Sequence, residues 1–122
     1  MAVLLASGCY ASTDYEKYPK GKFVERSSLV KSWGGESSSL QLKSDGKFST
    51  VKLELEYFEC STGGVLKKSG DGAWETEKGR QSSEILLRFE DGCSATLWAG
   101  ESGGKVVLWS TVTDSDRTLV LK

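Results

Sequence analysis

Residues 72–109 read G-A-W-E-T-E-K-G-R-Q-S-S-E-I-L-L-R-F-E-D-G-C-S-A-T-L-W-A-G-E-S-G-G-K-V-V-L-W, and the period of the apolar residues in this stretch decides the fold. Ile85, Leu87 and Phe89 stand two apart, separated by Leu86 and Arg88 and bounded by Glu84 and Glu90. Successive side chains of a strand point to opposite faces, so one face is apolar and the other mostly charged. A half-buried antiparallel strand has this pattern. Asp91-Gly92 follows and predicts a hairpin of type I′, which requires positive φ at both central residues. In the next strand Ala95, Leu97 and Ala99 share one face, with Thr96 and Trp98 on the other. Gly103-Gly104 reverses the chain again into Val106, Val107, Leu108 and Trp109. Upstream, Gly72, Trp74 and Thr76 share a face, and Lys78-Gly79 begins the turn into Ile85. Three consecutive hairpins make a β-meander.

The same reading extends outward. Residues 29–33 (L-V-K-S-W) alternate and end at Gly34-Gly35. Leu40 and Leu42 mark a second strand, and Asp45-Gly46 a hairpin into a third that carries Phe48, Val51, Leu53 and Leu55. The apolar parity changes between Phe48 and Val51, which predicts a bulge or a bend. Residues 56–70 form the one long connection, and Asp114-Ser115-Asp116 turns the chain into Leu119 and Leu121. Eight strands result, at about 29–33, 37–43, 47–55, 71–77, 83–89, 93–99, 105–112 and 117–122. A meander of this kind leaves two exposed edges unless it closes on itself. The expectation is therefore an all-β chain with a single small eight-stranded antiparallel up-and-down barrel, and a two-sheet β-sandwich is the alternative.

The chain has 122 residues, with 14 glycines, one proline, no histidine and a formal net charge of −1. That length suits one domain, and many glycines with no long segment of helical period suit an all-β fold. Lys and Arg are scattered along polar strand faces rather than gathered in a stripe, which argues against nucleic acid as a partner. Without histidine the commonest general base and the commonest metal ligand are both missing.

Cys9, Cys60 and Cys93 are an odd number of cysteines, so one pair and one remainder is the simplest solution. In an up-and-down barrel the connection carrying Cys60 and the turn before Cys93 lie at the same end. A disulfide forms there if the two Cα atoms come within about 7 Å. The alternative is two buried thiols. Residues 1–9 (M-A-V-L-L-A-S-G-C) resemble the lipobox of bacterial lipoproteins, in which a peptidase cuts before a cysteine that carries lipid. On that resemblance residues 1–9 are the remnant of a clipped signal peptide, Cys9 is the lipid-attachment site, and the protein is anchored to the outer side of the cell membrane. A secreted protein with an ordinary N-terminal cysteine is the alternative. Residues 10–28 are polar, mixed in charge and contain Pro19, as expected of a tether, with the barrel at 29–122; three tyrosines and Phe23 exceed what a plain spacer needs.

The segments G-A-W-E at 72–75, L-R-F-E-D-G-C-S-A-T-L-W-A-G at 87–100, V-L-W at 107–109 with D-S-D at 114–116, L-V-K-S-W at 29–33 and L-Q-L-K-S-D-G-K-F-S-T at 40–50 resemble small uncharacterised secreted lipoproteins of actinobacteria. More loosely, the pattern is similar to lipocalin-like barrels, with Ser32-Trp33 in place of the Gly-x-Trp that opens their first strand. These resemblances imply compartment and fold, and they imply no activity.

Four tryptophans, Trp33, Trp74, Trp98 and Trp109, dominate the aromatic inventory. They either line a cavity for a small apolar ligand or fill an eight-stranded barrel, which is just wide enough for its own side chains. Trp98 shares a face with Thr96, opposite Leu97, and is therefore expected outside or under a loop. Tyr57 and Phe58 open the long connection beside Cys60 and are candidate contacts for a protein partner, since long loops in compact domains tend to be functional; a lid over the barrel mouth is the other reading. Catalysis is not expected. Glu54 and Glu56 lie two apart on one polar strand face, Asp114 and Asp116 lie in a turn, and Ser37, Ser38 and Ser39 have no activating base at motif spacing. No cofactor or metal is implied. The expected function is that of a non-enzymatic binding or interaction barrel. The alternatives are a lipocalin-like carrier and an inhibitor of an extracellular hydrolase, although the S-G-x-R-Y segment of lysozyme-inhibitor lipoproteins is missing.

Overall fold

A computed structural model of the chain describes residues 19–35, 37–55, 58–60, 67–111 and 118–122. Two short elements come first, β1 (Lys20–Gly21) and one helical turn, α1 (Arg26–Leu29). The eight strands of the barrel follow: β2 (Ser32–Gly34), β3 (Ser39–Leu42), β4 (Lys47–Glu54), β5 (Lys67–Lys78), β6 (Ser83–Phe89), β7 (Ser94–Ser102), β8 (Lys105–Thr111) and β9 (Thr118–Leu121). Each pairs antiparallel with the next in chain order. The sheet nearly closes at the tips of its first and last strands. Gly34 N donates to Lys122 O (3.1 Å) and Lys122 N donates to Gly34 O (2.8 Å). The fold is thus the up-and-down barrel expected from the alternation, formed from one continuous sheet rather than a sandwich.

The central meander sets the register. Ile85 faces Leu97 and Leu87 faces Ala95 across the β6–β7 ladder, and all four are buried. The turns differ in kind from the expectation. Gly103 and Gly104 both have positive φ (59° and 80°), as a two-residue type I′ turn requires. At the two Asp-Gly sites only the glycine does, with φ of 86° at Gly46 and 97° at Gly92. There the flanking residues bond around three-residue loops, Phe89 N to Cys93 O (2.8 Å) and Lys43 N to Lys47 O (2.9 Å). Each aspartate side chain instead accepts from the amide two residues on, Asp45 from Lys47 (3.0 Å) and Asp91 from Cys93 (3.1 Å). This Asx bond substitutes for the second left-handed residue.

The bulge in β4 lies later than the parity of Val51 suggested. Thr50 pairs with Gly70 and Leu53 with Lys68, so β4 carries one extra residue between them. Val51 is half exposed on the outer face, and Lys52 adopts φ of 52°. Two serines hold this backbone. Ser38 Oγ donates to Lys52 O (2.6 Å), and Lys52 N donates to Ser69 Oγ (2.9 Å). The hydroxyl of Ser38 is thereby committed to structure.

The expected first strand begins later than 29. Leu29 ends the helical turn α1, and the ladder starts at Ser32. Leu29 and Trp33 are both buried, and a spacing of four residues keeps two side chains on one face in a strand and in a helix alike. The alternation could not tell the two apart. The helical turn buries Leu29 in the core.

Side chains fill the described interior. Trp33, Leu40, Leu42, Phe48, Leu53 and Leu97, among others, are almost completely buried in one cluster. The Phe89 ring packs edge-on against Phe48 (centroids 5.0 Å apart) and Phe58 (5.9 Å). Gly72 faces Phe48 on one side and Phe89 on the other, and the missing side chain is what lets those rings meet. Beside them Glu59 pairs with Ser94 in an isolated two-bond rung, and this seats Cys60 against Cys93. The two form a disulfide, with Cα atoms 4.2 Å apart, at the end of the barrel the topology predicted.

Of the stretch read as a tether, residues 10–18 lie outside the described residues, and 19–28 lie against the barrel. β1 pairs with the far end of β7, Lys20 opposite Glu101 and Gly21 opposite Gly100. It continues the line of β6, which stops at Ser83. Ser83 N donates to Lys22 O (3.0 Å), and Ser83 Oγ exchanges bonds with both Val24 N (2.8 Å) and Val24 O (3.1 Å). Close approach requires small residues at the crossing. A Cβ on Gly21 would stand 2.7 Å from Gln81 O, and one on Gly100 would stand 2.8 Å from the Pro19 Cβ.

Candidate functional site

The four tryptophans divide by the parity of their strands. Trp33 and Trp74 point inward and are buried. Trp33 Nε1 donates to Leu29 O (3.0 Å) and Trp74 Nε1 donates to Lys43 O (2.8 Å). A buried indole with its N–H satisfied by backbone is a structural anchor. A cation sits over each ring, Lys31 Nζ at 4.1 Å from the Trp33 centroid and the Arg26 guanidinium at 4.6 Å from that of Trp74. Neither ring is presented to a ligand.

Trp98 and Trp109 point outward. They are directly opposite each other on β7 and β8, with ring centroids 5.4 Å apart and planes inclined by 42°. The same ladder position holds Glu84 on β6 and Val120 on β9, so one row of the outer face runs Glu84, Trp98, Trp109, Val120. The 79–82 turn stands beside this row, and the chain at Pro19 crosses it. Together they enclose an open groove of about 990 Å³ lined by Trp98, Trp109, Arg80, Gln81, Glu84 and Pro19, among others. Gly100, whose missing side chain admits Pro19, also lies 3.1 Å, measured from an added Cβ, from Trp109 Cδ1. Among the described residues the side chains of Arg80, Gln81 and Glu84 make no hydrogen bond or ion pair, so the polar rim is uncommitted. On the other side of the N-terminal segment a smaller groove of about 300 Å³ runs between Phe23, Val24 and Lys78. Phe23 is half exposed, with Lys78 Nζ 5.3 Å from its ring centroid.

Phe58, read as a candidate contact, is completely buried against Phe89 and does not face solvent. Tyr57, Glu56, Asp114 and Asp116 lie outside the described residues, as does Cys9. Glu54 sits in the β4–β5 ladder opposite Lys67. Among the described residues no cluster of three or more Cys, Asp or Glu side chains could hold a metal ion. No described helix is long and apolar enough to cross a membrane.

Arg80, Gln81 and Glu84 were missed as site residues by sequence reasoning. They belong to a turn that looks like any polar reversal, and nothing local shows that Trp109, far along the chain, stands next to it. The only trace was the outward parity of Trp98. No protein-family model, curated protein or solved structure matches the chain.

Proposed function

We propose that this chain is an extracytoplasmic, non-enzymatic binding barrel that engages its partner on the outer face, at the Trp98–Trp109 groove, and not in the barrel interior. The observation that carries this reading is the division of the tryptophans. Two are sealed inside with their N–H groups bonded to backbone, and two form an outer row beside an uncommitted polar rim. Trp98 and Trp109 are only partly buried on this outer face, and apolar surface rimmed by polar residues marks an interaction site. The Cys60–Cys93 disulfide is compatible with an oxidising compartment. Anchorage through a lipidated Cys9 belongs to the same proposal. Mass spectrometry of the native protein tests it, and an unmodified Cys9 with Met1 retained removes the anchor but leaves the barrel reading intact.

The site itself is tested by photo-crosslinking in the native envelope. A benzophenone side chain at Gln81, on the rim, is expected to give adducts that Trp98→Ala abolishes. The same probe at Gln41, exposed on β3, is expected to give none. Adducts of equal yield at both positions would remove the groove from consideration. The carrier alternative makes a different forecast: organic extraction of the purified native protein would release a stoichiometric apolar molecule, and Trp33 and Trp74 fluorescence would change.

A further inference from the structure

We infer that the groove takes a neutral saccharide, an inference that rests on the outer-face reading above. A pyranose ring has C–H faces that lie flat on an aromatic ring and an equatorial rim of hydroxyls that both donate and accept hydrogen bonds. The groove offers the complement of both. The indoles of Trp98 and Trp109, 5.4 Å apart and inclined by 42°, make a folded aromatic floor wider than one ring. Around it stand a guanidinium, a primary amide and a carboxylate, from Arg80, Gln81 and Glu84. These three planar groups supply donors only, both kinds, and acceptors only, respectively, which covers the mixed demands of adjacent hydroxyls. Specificity at such sites comes from a few well-placed polar groups on an apolar surface.

Charge selects the class. Among the described residues one cation and one anion line the groove, so their charges balance and neither a phosphorylated nor a cationic ligand is favoured. Bases of single-stranded nucleic acid also stack on tryptophan, but such sites add a basic track for the phosphates, and here there is one arginine in a chain of net charge −1. A proline-rich peptide is the nearest competitor. Its prolines dock between aromatic rings. In this groove the apolar corner, where Gly100 meets Trp109, already holds the chain's own Pro19. What is left open is aromatic floor with a polar rim.

The experiment uses the disulfide-intact full chain labelled with nitrogen-15, whose four indole N–H signals report on the two pairs of tryptophans separately. The probes are triacetylchitotriose, cellotriose and maltotriose, with a proline-rich decapeptide alongside. At least one trisaccharide is expected to shift the Trp98 and Trp109 signals and leave those of Trp33 and Trp74 in place, with a dissociation constant on the order of 1 mM or below. Trp98→Ala is expected to weaken binding at least tenfold. Arg80→Ala and Gln81→Ala change exposed rim residues that the fold does not use, and each is expected to weaken binding several-fold with an unchanged melting temperature. If no trisaccharide at about 10 mM moves the outer pair, or if binding survives in the Arg80→Ala, Gln81→Ala double variant at full strength, the saccharide is wrong. Outer-pair shifts with the peptide alone overturn the saccharide and leave the outer-face reading standing. Silence from all four probes, together with no Gln81 adducts in the envelope, overturns both.

Discussion

Gly72 shows how much a single missing side chain sets. Flanked by Phe48 and Phe89 across its two ladders, it lies where an added Cβ would stand 2.0 Å from Arg88 O and 2.9 Å from Phe48 Cε2. Backbone on one side and a packed ring on the other cannot both give way. Gly72→Ala is therefore predicted to cost about 3 kcal/mol or more, read as a lowered urea midpoint at unchanged slope. A loss under about 1 kcal/mol would mean the rings are free to part. Asp91 makes a prediction of another kind. Its carboxylate accepts from Lys68 Nζ and from the Cys93 amide, and these bonds hold its pKa below the ordinary 3.8. The unfolded chain takes up this proton at higher pH than the folded one. The contribution is therefore present above 3.8 and is lost as pH falls through the lower folded value. Thermal midpoints are predicted to drop below about pH 4, and less steeply in Asp91→Asn, which keeps the acceptor for Cys93. Equal slopes for the two proteins would assign the acid sensitivity elsewhere.

At the level of elements, the long connection after β4 was read as either a contact surface or a lid, and its described residues, 58–60, pack onto the barrel. Phe58 enters the core, Glu59 makes a rung with Ser94, and the disulfide to Cys93 follows at once. The bridge spans 33 residues of chain. In the chain-entropy account its loss, in Cys60→Ser with Cys93→Ser, removes roughly 3–4 kcal/mol. Guanidinium unfolding of the variant, with reductant absent, measures this. Because the groove lies at the other end of the barrel, ligand shifts at Trp98 are predicted to survive the change. Their disappearance would show that the two ends are coupled. At that opposite end Ser83, the first residue of β6, is hydrogen-bonded to Lys22 and Val24 of the N-terminal segment.

For the molecule as a whole, closure is the fact on which stability turns. Among the described residues the Gly34–Lys122 pair of backbone bonds joins the first barrel strand to the last, with completely buried Leu121 beside it. Leu121→Ala is predicted to cost about 2–5 kcal/mol from lost burial and the cavity left behind. Removal of both Leu121 and Lys122 is predicted to add a second effect, since β2 and β9 would then present open edges. Sedimentation velocity should show concentration-dependent association for that truncation and none for the point variant. A truncated chain that stays monomeric would mean the edges are covered in some other way.

Much of this barrel can be read from residues alone. Alternation of apolar side chains is a local property, and so are the glycine turns, so Ile85, Leu87, Leu97 and the hairpins beside them declare a meander without reference to anything distant. The barrel end shared by Cys60 and Cys93 follows from counting strands. The bulge was legible as a parity change, although its position, held by Ser38 just before β3 and Ser69 on β5, was not. Outward parity separates Trp98 from the core, but which polar groups surround it depends on residues that meet only when the sheet curls. Arg80, Glu84 and Trp109 belong to three different strands or turns, and Pro19 reaches them because the β6–β7 ladder stops at Glu84–Trp98 and leaves that edge of β7 to β1. Local period decides which face a side chain takes. Only closure of the sheet decides which faces become neighbours, because that juxtaposition is fixed by long-range pairing and packing that no short window of sequence contains.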